Sequence, residues 1–369
     1  MMGGVQAPDG WTIDADTLQP VVLDRARLER RLAEALPLER LDYLGLLGRA
    51  DAGLAEAMSL LADEPADPWP LLLRIGQLQL LAGDRDQSEL FQTRAYRYAR
   101  SRSRQATTLH QLGRIRFLAG DLIAAAVRFQ LALTQRRGFA EPATVAESEQ
   151  ALQAVRRRFA VDAIVLAGGA GVRLGGQRLG AKALIPLAGW PLADHVLLAA
   201  SAARQRIQVG PARVALADPV FRHEQPAGGG PVAAIAAALD DVTAPLVAVL
   251  AADLPFIADA LPGLARAAAE RDAAALVDTG GRTCYLAAVW RAEALRAAVR
   301  TAGPVAGAPV RRLYDSADVE LVPDFDACSA DVDTPAELAA AEARIRAHQP
   351  GQLPASPLAW PRLELHAPS

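Results

Sequence analysis

The apolar positions of the chain change rhythm twice. From Asp24 to about Arg158, Leu and Ala recur among Arg and Glu with few β-branched residues, a pattern that predicts helices. From Ala160, short apolar runs at Ala163–Leu166, Arg213–Leu216, Leu246–Ala251, Ala274–Val277 and Val319–Val322 alternate with Ala/Leu-rich helical stretches. That alternation predicts βαβ units and a mostly parallel sheet. Residues 1 to about 22, rich in Gly, Pro and Asp, show no period and predict an arm of low order, and the Pro-rich stretch from about Gln349 to Ser369 is assigned no fold. The expected organisation is an arm (1–23), a helical domain (24–158), an α/β domain (159–347) and a tail (348–369).

The helical part repeats. Ile75-Gly-Gln-Leu-Gln-Leu-Leu-Ala-Gly-Asp84 lines up with Leu112-Gly-Arg-Ile-Arg-Phe-Leu-Ala-Gly-Asp121 at a period of 37, Ala95 matches Ala132, and a looser copy ends at Asp51. Each copy reads as helix, Gly-Asp turn, helix, with Val145–Arg157 as a closing helix. This resembles tetratricopeptide-type repeats, which stack because no single unit can bury its apolar face. A protein-binding or oligomerising solenoid and a helical extension that only supports the second domain both fit. Arg94, Arg97, Arg100, Arg102 and Arg104, interleaved with Tyr96 and Tyr98, form a basic patch, read as a solvated face or a surface for an acidic partner. His110 reads as a helix-packing histidine.

In open α/β sheets ligands bind beyond the carboxyl ends of the strands, so the residues after each run carry the functional reading. After the first run come Leu166, Ala167, Gly168, Gly169 and Gly171, then Arg173 and Lys182 among further glycines. Glycines without a Cβ let a phosphate approach the backbone N–H groups. Lys182 is the one lysine among 39 basic residues. Gln225 precedes Gly228-Gly229-Gly230-Pro231, a glycine turn into a helix start. The apolar run Pro245–Ala252 delivers Asp253, whose carboxylate is costly to bury unless it binds something positive, such as Mg²⁺ carrying phosphates. Asp331-Val332-Asp333-Thr334-Pro335 precedes the predicted helix Ala336–His348; Thr334 and Glu337 form a capping box, which leaves Asp333 available as a second metal ligand.

Composition narrows the classes. A chain of 369 residues, 51% hydrophobic and 22% charged, suggests two cored domains. A net charge of −3 argues against a nucleic-acid binder that relies on its overall field. The apolar runs are too short to span a bilayer, and MMGGVQAPDGW lacks the features of a signal peptide. Cys284 and Cys328 have no metal spacing, and the expected setting is a reducing cytoplasm.

Leu166-Ala167-Gly168-Gly169, Arg173-Leu174-Gly175 with Lys182, Gly230-Pro231, Asp253-Leu254-Pro255 and Asp331-x-Asp333-Thr334-Pro335 occur in one order over Ala160 to about Ala347. In that order they resemble the MobA-like nucleotidyltransferases. The resemblance implies a Rossmann-like α/β fold that moves a nucleoside monophosphate from an NTP to a phosphorylated acceptor and releases pyrophosphate. It implies GTP as the default donor, molybdopterin as the default acceptor and Mg²⁺ as cofactor. It further implies the Gly168–Gly171 amides and the Gly229-Gly230-Pro231 turn at the nucleotide, Arg173 at the leaving pyrophosphate, Lys182 at the α-phosphate, and Asp253 with Asp333 at the metal. Gln225 falls where the family's guanylyltransferases carry an acidic base-reading residue, and an amide pairs differently from a carboxylate. Gly281-Arg282-Thr283-Cys284-Tyr285 stands where relatives often carry a Gln-Pro or His-Pro pair. The longer Arg173–Lys182 loop is similar to that of sugar-phosphate nucleotidyltransferases. A sugar or other small phosphate is therefore the alternative acceptor, and a nucleotide-binding scaffold acting through its repeats is the alternative class.

Overall fold

In a computed structural model of the chain, residues 10–169, 172–174 and 181–347 are described. The chain divides into two compact units between Val155 and Arg156.

The first unit opens with an antiparallel hairpin, β1 (Trp11–Ile13) and β2 (Pro20–Val22), where the sequence predicts an arm of low order. Three-residue strands are too short to show alternation; the turn is instead built by Asp14, whose Oδ1 accepts from the N–H groups of Asp16 at 3.0 Å and Thr17 at 2.7 Å. Eight helices follow: α1 (Arg25–Glu34), α2 (Pro37–Leu46), α3 (Ala50–Ala62), α4 (Trp69–Leu81), α5 (Arg85–Tyr98), α6 (Arg102–Leu118), α7 (Leu122–Arg136) and α8 (Pro142–Arg158).

The pairs α4/α5 and α6/α7 are the two sequence copies. Each turns at a glycine in the left-handed region, Gly83 at φ +91° and Gly120 at φ +83°. The aspartate that follows caps the second helix: Asp84 Oδ1 accepts from Gln87 N–H at 3.0 Å and Asp121 Oδ1 from Ala124 N–H at 3.1 Å. The repeat also sets the packing inside each pair. A Cβ at Gly76 would lie 2.6 Å from Gln92, and one at Gly113 would lie 2.5 Å from Phe129, so both glycines let paired helices approach. In the looser copy the turn glycine is Gly48, and Asp51 lies inside α3 instead of capping it. Helices α2, α4, α6 and α8, with α1 and the hairpin, line a cavity of about 460 Å³. Leu18, at the hairpin tip, is 3% exposed, and its carbonyl accepts from Arg114 Nε at 3.1 Å and Nη2 at 2.9 Å. His110 packs its ring 5.2 Å from that of Phe129. Within the basic patch Arg104 pairs with Asp67 at 2.6 Å and lies over Trp69.

The second unit is α/β. In chain order it contains β3 (Val161–Leu166), the small hairpin β4 (Pro186–Leu187) and β5 (Trp190–Pro191), α9 (Leu192–Ala199), β6 (Arg206–Val209), β7 (Val220–Arg222), α10 (Pro231–Ala238), β8 (Leu246–Ala251), α11 (Leu261–Glu270), β9 (Ala273–Val277), β10 (Thr283–Arg291), α12 (Ala292–Thr301), β11 (Val319–Pro323) and α13 (Pro335–Ala347). Seven strands form one sheet in the order β11-β9-β10-β8-β3-β6-β7, all parallel except β10. Its core is mostly aliphatic, built from Ile164, Ile207, Val247, Val249 and Ala275 of the strands against Ile235 and Leu295 of the helices, together with the buried Trp290 of β10.

Four of the five expected strands are present. Arg213–Leu216 is not a strand: Val214 is 96% exposed, and the strand of that region is β6. The run Arg206-Ile-Gln-Val209 hides its strand character because Arg206 and Gln208 are polar, yet both are buried; Arg206 reaches the carbonyls of Ala217 at 2.9 Å and Ala203 at 3.0 Å. Within β3, the fully buried Asp162 accepts from the N–H groups of Gln205 at 2.9 Å, Thr243 at 2.7 Å and Ala244 at 2.8 Å, so one carboxylate ties the entries of β6 and β8 to the central strand. No helix among the described residues is long and apolar enough to cross a membrane.

Candidate active site at the carboxyl ends of the strands

The central strands β8 and β3 run parallel, with Leu166 opposite Ala251, so the loops after them leave the sheet side by side. Leu166, Ala167, Gly168 and Gly169 follow from β3, and Asp253 follows β8; Ala252 N–H donates to the Leu166 carbonyl at 3.1 Å and holds the two exits together. Lys182 returns to this point because its own N–H donates to the Gly169 carbonyl at 3.2 Å. Asp333 arrives from the segment before α13, where Val332 N–H donates to the Asp253 carbonyl at 3.2 Å.

These backbone contacts bring the predicted charges together. The Lys182 ammonium donates to Asp253 Oδ2 and to Asp333 Oδ1, and Arg173 Nη2 donates to Asp333 Oδ2 at 2.6 Å. Residues 71 and 151 positions from Lys182 in sequence thus converge on one ammonium. Burial works against the charged form of Lys182, but the two carboxylates outweigh it and hold its pKa above that of an ordinary lysine. Burial pushes the Asp253 carboxyl up, and Lys182 offsets only part of that. At Asp333 burial also acts upward, but Lys182 and Arg173 prevail and lower it. Asp253 Oδ1 is buried without a hydrogen-bond partner among the described residues.

The capping box before α13 forms as its sequence predicts: Thr334 N–H and Asp333 N–H both donate to Glu337 Oε2 at 2.8 Å, and Glu337 N–H donates to Thr334 Oγ1 at 3.3 Å. The cap uses the Asp333 backbone and leaves its carboxylate for the site.

The two glycine segments differ. Added Cβ atoms at Gly168 and Gly169 would meet only ordinary contacts, 3.5 Å from Glu224 Oε1 and 3.6 Å from the Lys182 side chain, so intrachain packing does not require glycine there. In the second segment the chain itself demands glycine. A Cβ at Gly229 would lie 2.8 Å from the Pro226 carbonyl oxygen, and Gly230 has φ +87° at the start of α10. The turn uses its own amides as well, with Gly228 N–H donating to Glu224 Oε1 at 2.9 Å and Gly229 N–H to the Pro226 carbonyl at 2.9 Å. Gly230 and Pro231 open α10 beside β3 and β6. Gly171 lies outside the described residues.

Residues 163–322 match the model of the family described as the MobA-like NTP transferase domain. The α/β unit carries a MobA-like NTP transferase domain. Solved structures similar to the chain include molybdopterin-guanine dinucleotide biosynthesis protein A from Archaeoglobus fulgidus, at 22% identity over 50% of this chain and 97% of that one, with a TM-score of 0.39. Another is 2-C-methyl-D-erythritol 4-phosphate cytidylyltransferase from Thermus thermophilus, at 21% identity over 50% of this chain and 98% of that one, with a TM-score of 0.40. A nucleotidyl transferase from Methanothermobacter thermautotroptrophicus is 19% identical over 51% of this chain and 96% of that one, with a TM-score of 0.37. None of the curated proteins is a significant match.

Within the NTP transferase domain, Gln225 is exposed and precedes Pro226 through a cis peptide bond. Its neighbour Glu224 is the side chain that faces the glycine loop, with Oε1 between Gly228 N–H and Gly168. Residue spacing does not single out Glu224, because its place depends on how the second glycine turn folds back against the first. Among the described residues no cluster of three or more His, Cys, Asp or Glu could hold a metal. Asp253 and Asp333 are thus a two-carboxylate set.

Proposed function

We propose that the NTP transferase domain moves a nucleoside monophosphate from an NTP to a phosphorylated acceptor and releases pyrophosphate. The observation that carries this reading is the convergence of Lys182, Arg173, Asp253 and Asp333 beside Gly168 and Gly169, two glycines that packing does not require. Unobstructed main chain next to positive charge on a flexible stem suits a polyphosphate.

The chemistry asks mainly for positioning and charge neutralisation, because the acceptor phosphate is already a nucleophile and needs no general base. The Gly168 and Gly169 amides hold the nucleotide phosphates. Lys182 has a flexible stem and three donors, so it can leave its carboxylates for the α-phosphate as negative charge builds there. Arg173, exposed at the rim, takes the leaving pyrophosphate. Asp253 and Asp333 fit Mg²⁺: two hard oxygen donors on one point, one of them with a buried oxygen that has no partner among the described residues, with remaining positions for water and phosphate. Bound there, Mg²⁺ would neutralise phosphate charge.

Glu224 supports a guanine base, since a carboxylate can accept from both N1–H and N2–H₂ of guanine whereas the Gln225 amide has a single acceptor. GTP is therefore the donor and molybdopterin the default acceptor in this reading. The repeats, whose alternate helices line the cavity of about 460 Å³, are read as the half that binds a protein partner.

The test is calorimetric binding of all four NTPs, with and without Mg²⁺, to wild type, Lys182→Ala and Glu224→Gln. Mg²⁺-dependent binding of GTP that Lys182→Ala abolishes and Glu224→Gln weakens is expected. Failure to bind any NTP overturns the catalytic reading.

A further inference from the structure

A separate cation stands at the same edge of the sheet, on the side away from the glycine loop. β10 lies between β8 and β9 and runs against both, so the turn that joins β9 to β10 leaves the sheet at the edge where β8 delivers Asp253. Asp278 builds that turn. Its Oδ1 accepts from the N–H groups of Gly280 at 2.9 Å and Arg282 at 2.8 Å, and its backbone exchanges bonds with Gly281 and Arg282. Its remaining oxygen, Oδ2, accepts from Arg282 Nε at 3.1 Å. Asp278 thus fixes both the backbone and the side chain of Arg282, and its hydrogen bonds, ahead of the nearby Cys284 and Asp331, raise the Arg282 pKa.

Arg282 differs from the other two cations in what it keeps available. Arg173 and Lys182 are committed to Asp333 and Asp253, whereas the hydrogen bonds of the Arg282 side chain among the described residues use Nε alone. The two terminal nitrogens form the planar fork that matches a phosphate, and holding Nε removes part of the entropy cost of ordering it. Asp331 connects the two places: its charge acts on Arg282 and also on Asp253, and the adjacent Val332 N–H donates to the Asp253 carbonyl at 3.2 Å.

We propose that Arg282 holds the phosphate of the acceptor, with Asp278 as its positioning residue. This rests on the nucleotidyl-transfer reading above. With the nucleotide on Gly168, Gly169 and Lys182, a phosphomonoester on the Arg282 fork stands across the Asp253 position from it. An acceptor phosphate oxygen forms the bond to the α-phosphorus, the bond from that phosphorus to the bridging oxygen breaks, and the electron pair leaves with pyrophosphate. The acceptor is thereby defined by chemistry: a small molecule that presents a terminal phosphate dianion.

The experiment titrates inorganic phosphate, and separately ribose 5-phosphate, into the full chain saturated with Mg²⁺ and a non-hydrolysable GTP analogue, which keeps the probes out of the nucleotide site. Arg282→Gln should weaken binding of both probes at least tenfold, Arg282→Lys should restore part of it, and Asp278→Asn should fall between wild type and Arg282→Gln. Affinity for the GTP analogue should stay within about twofold in all three variants, a result that also reports intact folding. Phosphate affinity that is indifferent to Arg282 while the analogue still binds overturns this assignment alone. A wild type that does not bind the analogue overturns the transfer reading and this assignment with it.

Discussion

At the scale of single residues, the site is a balance of opposite charges on one lysine. Lys182 is the one lysine of the chain, and its compact ammonium on a flexible stem sits between two carboxylates; in the proposed transfer the same stem lets it reach a phosphate. Lys182→Ala and Asp253→Asn should each lower pyrophosphate release on the order of 10²-fold, and Lys182→Arg should not restore the rate; a coupled phosphate-release assay checks this. His195 is buried in α9 and donates from Nε2 to the Leu187 carbonyl at 2.9 Å; burial lowers its pKa to about 4. An unfolded histidine titrates at about 6.5. The folded state therefore binds fewer protons between those values, so the contribution of His195 is full above about pH 6.5 and is lost as pH falls toward 4. Urea unfolding at pH 7.5 and pH 5 should show wild type losing about 2 kcal/mol more than His195→Gln between the two conditions. Lys182 and Asp253 are legible in sequence because each interrupts a glycine or apolar run, and Asp333 because it stands beside a capping box that leaves its carboxylate uncommitted. Glu224 and Asp162 are not, since the roles of both depend on which distant N–H groups fold against them.

At the scale of elements, the repeat shows how a period in the text becomes a period in contacts. Gly76 and Gly113 occupy equal positions in the two copies and each admits a side chain of the partner helix, Gln92 and Phe129. Gly113→Ala should destabilise the helical unit by about 1–3 kcal/mol, because the aromatic ring and its helix must shift. Gly83→Ala meets nothing within 4 Å, and its cost, about 1 kcal/mol, comes from the left-handed backbone alone. Denaturant melts of the two variants separate packing strain from backbone strain. In the α/β unit Thr334→Ala removes the cap of α13 and should cost about 1 kcal/mol. It should also weaken Mg²⁺-dependent nucleotide binding, since the same box holds the Asp333 backbone; calorimetry on that variant checks both effects. Helix starts, apolar strands and Gly-Asp turns are readable because local chemistry determines them. Strand β6 escapes the pattern, and Arg213–Leu216 reads as a strand in its place, because burial of Arg206 and Gln208 is a tertiary outcome: their polar groups are satisfied by partners outside their own strand.

At the scale of the whole molecule, the chain combines a helical-repeat unit with an NTP transferase unit, each with its own core. A ligand that binds only the folded α/β unit stabilises it by mass action, about 2.7 kcal/mol at a hundredfold excess over Kd. GTP with Mg²⁺ should therefore raise the calorimetric transition of the α/β unit in wild type and leave it unmoved in Lys182→Ala. The order of residues alone dictates the two classes of structure, the repeat and the succession of motifs along the chain, because periodicity, glycine turns and caps act over a few residues. The sheet order with its single antiparallel strand, the hairpin at the start of the chain and the placing of Glu224 toward the glycine loop emerge only once the chain is folded. So do the meeting of Asp253 and Asp333 on Lys182 and the position of Asp278 and Arg282 at the same edge. All of these rest on hydrogen bonds and charge pairs between segments separated by turns or by long stretches of chain, and such contacts form only when the fold brings those segments together.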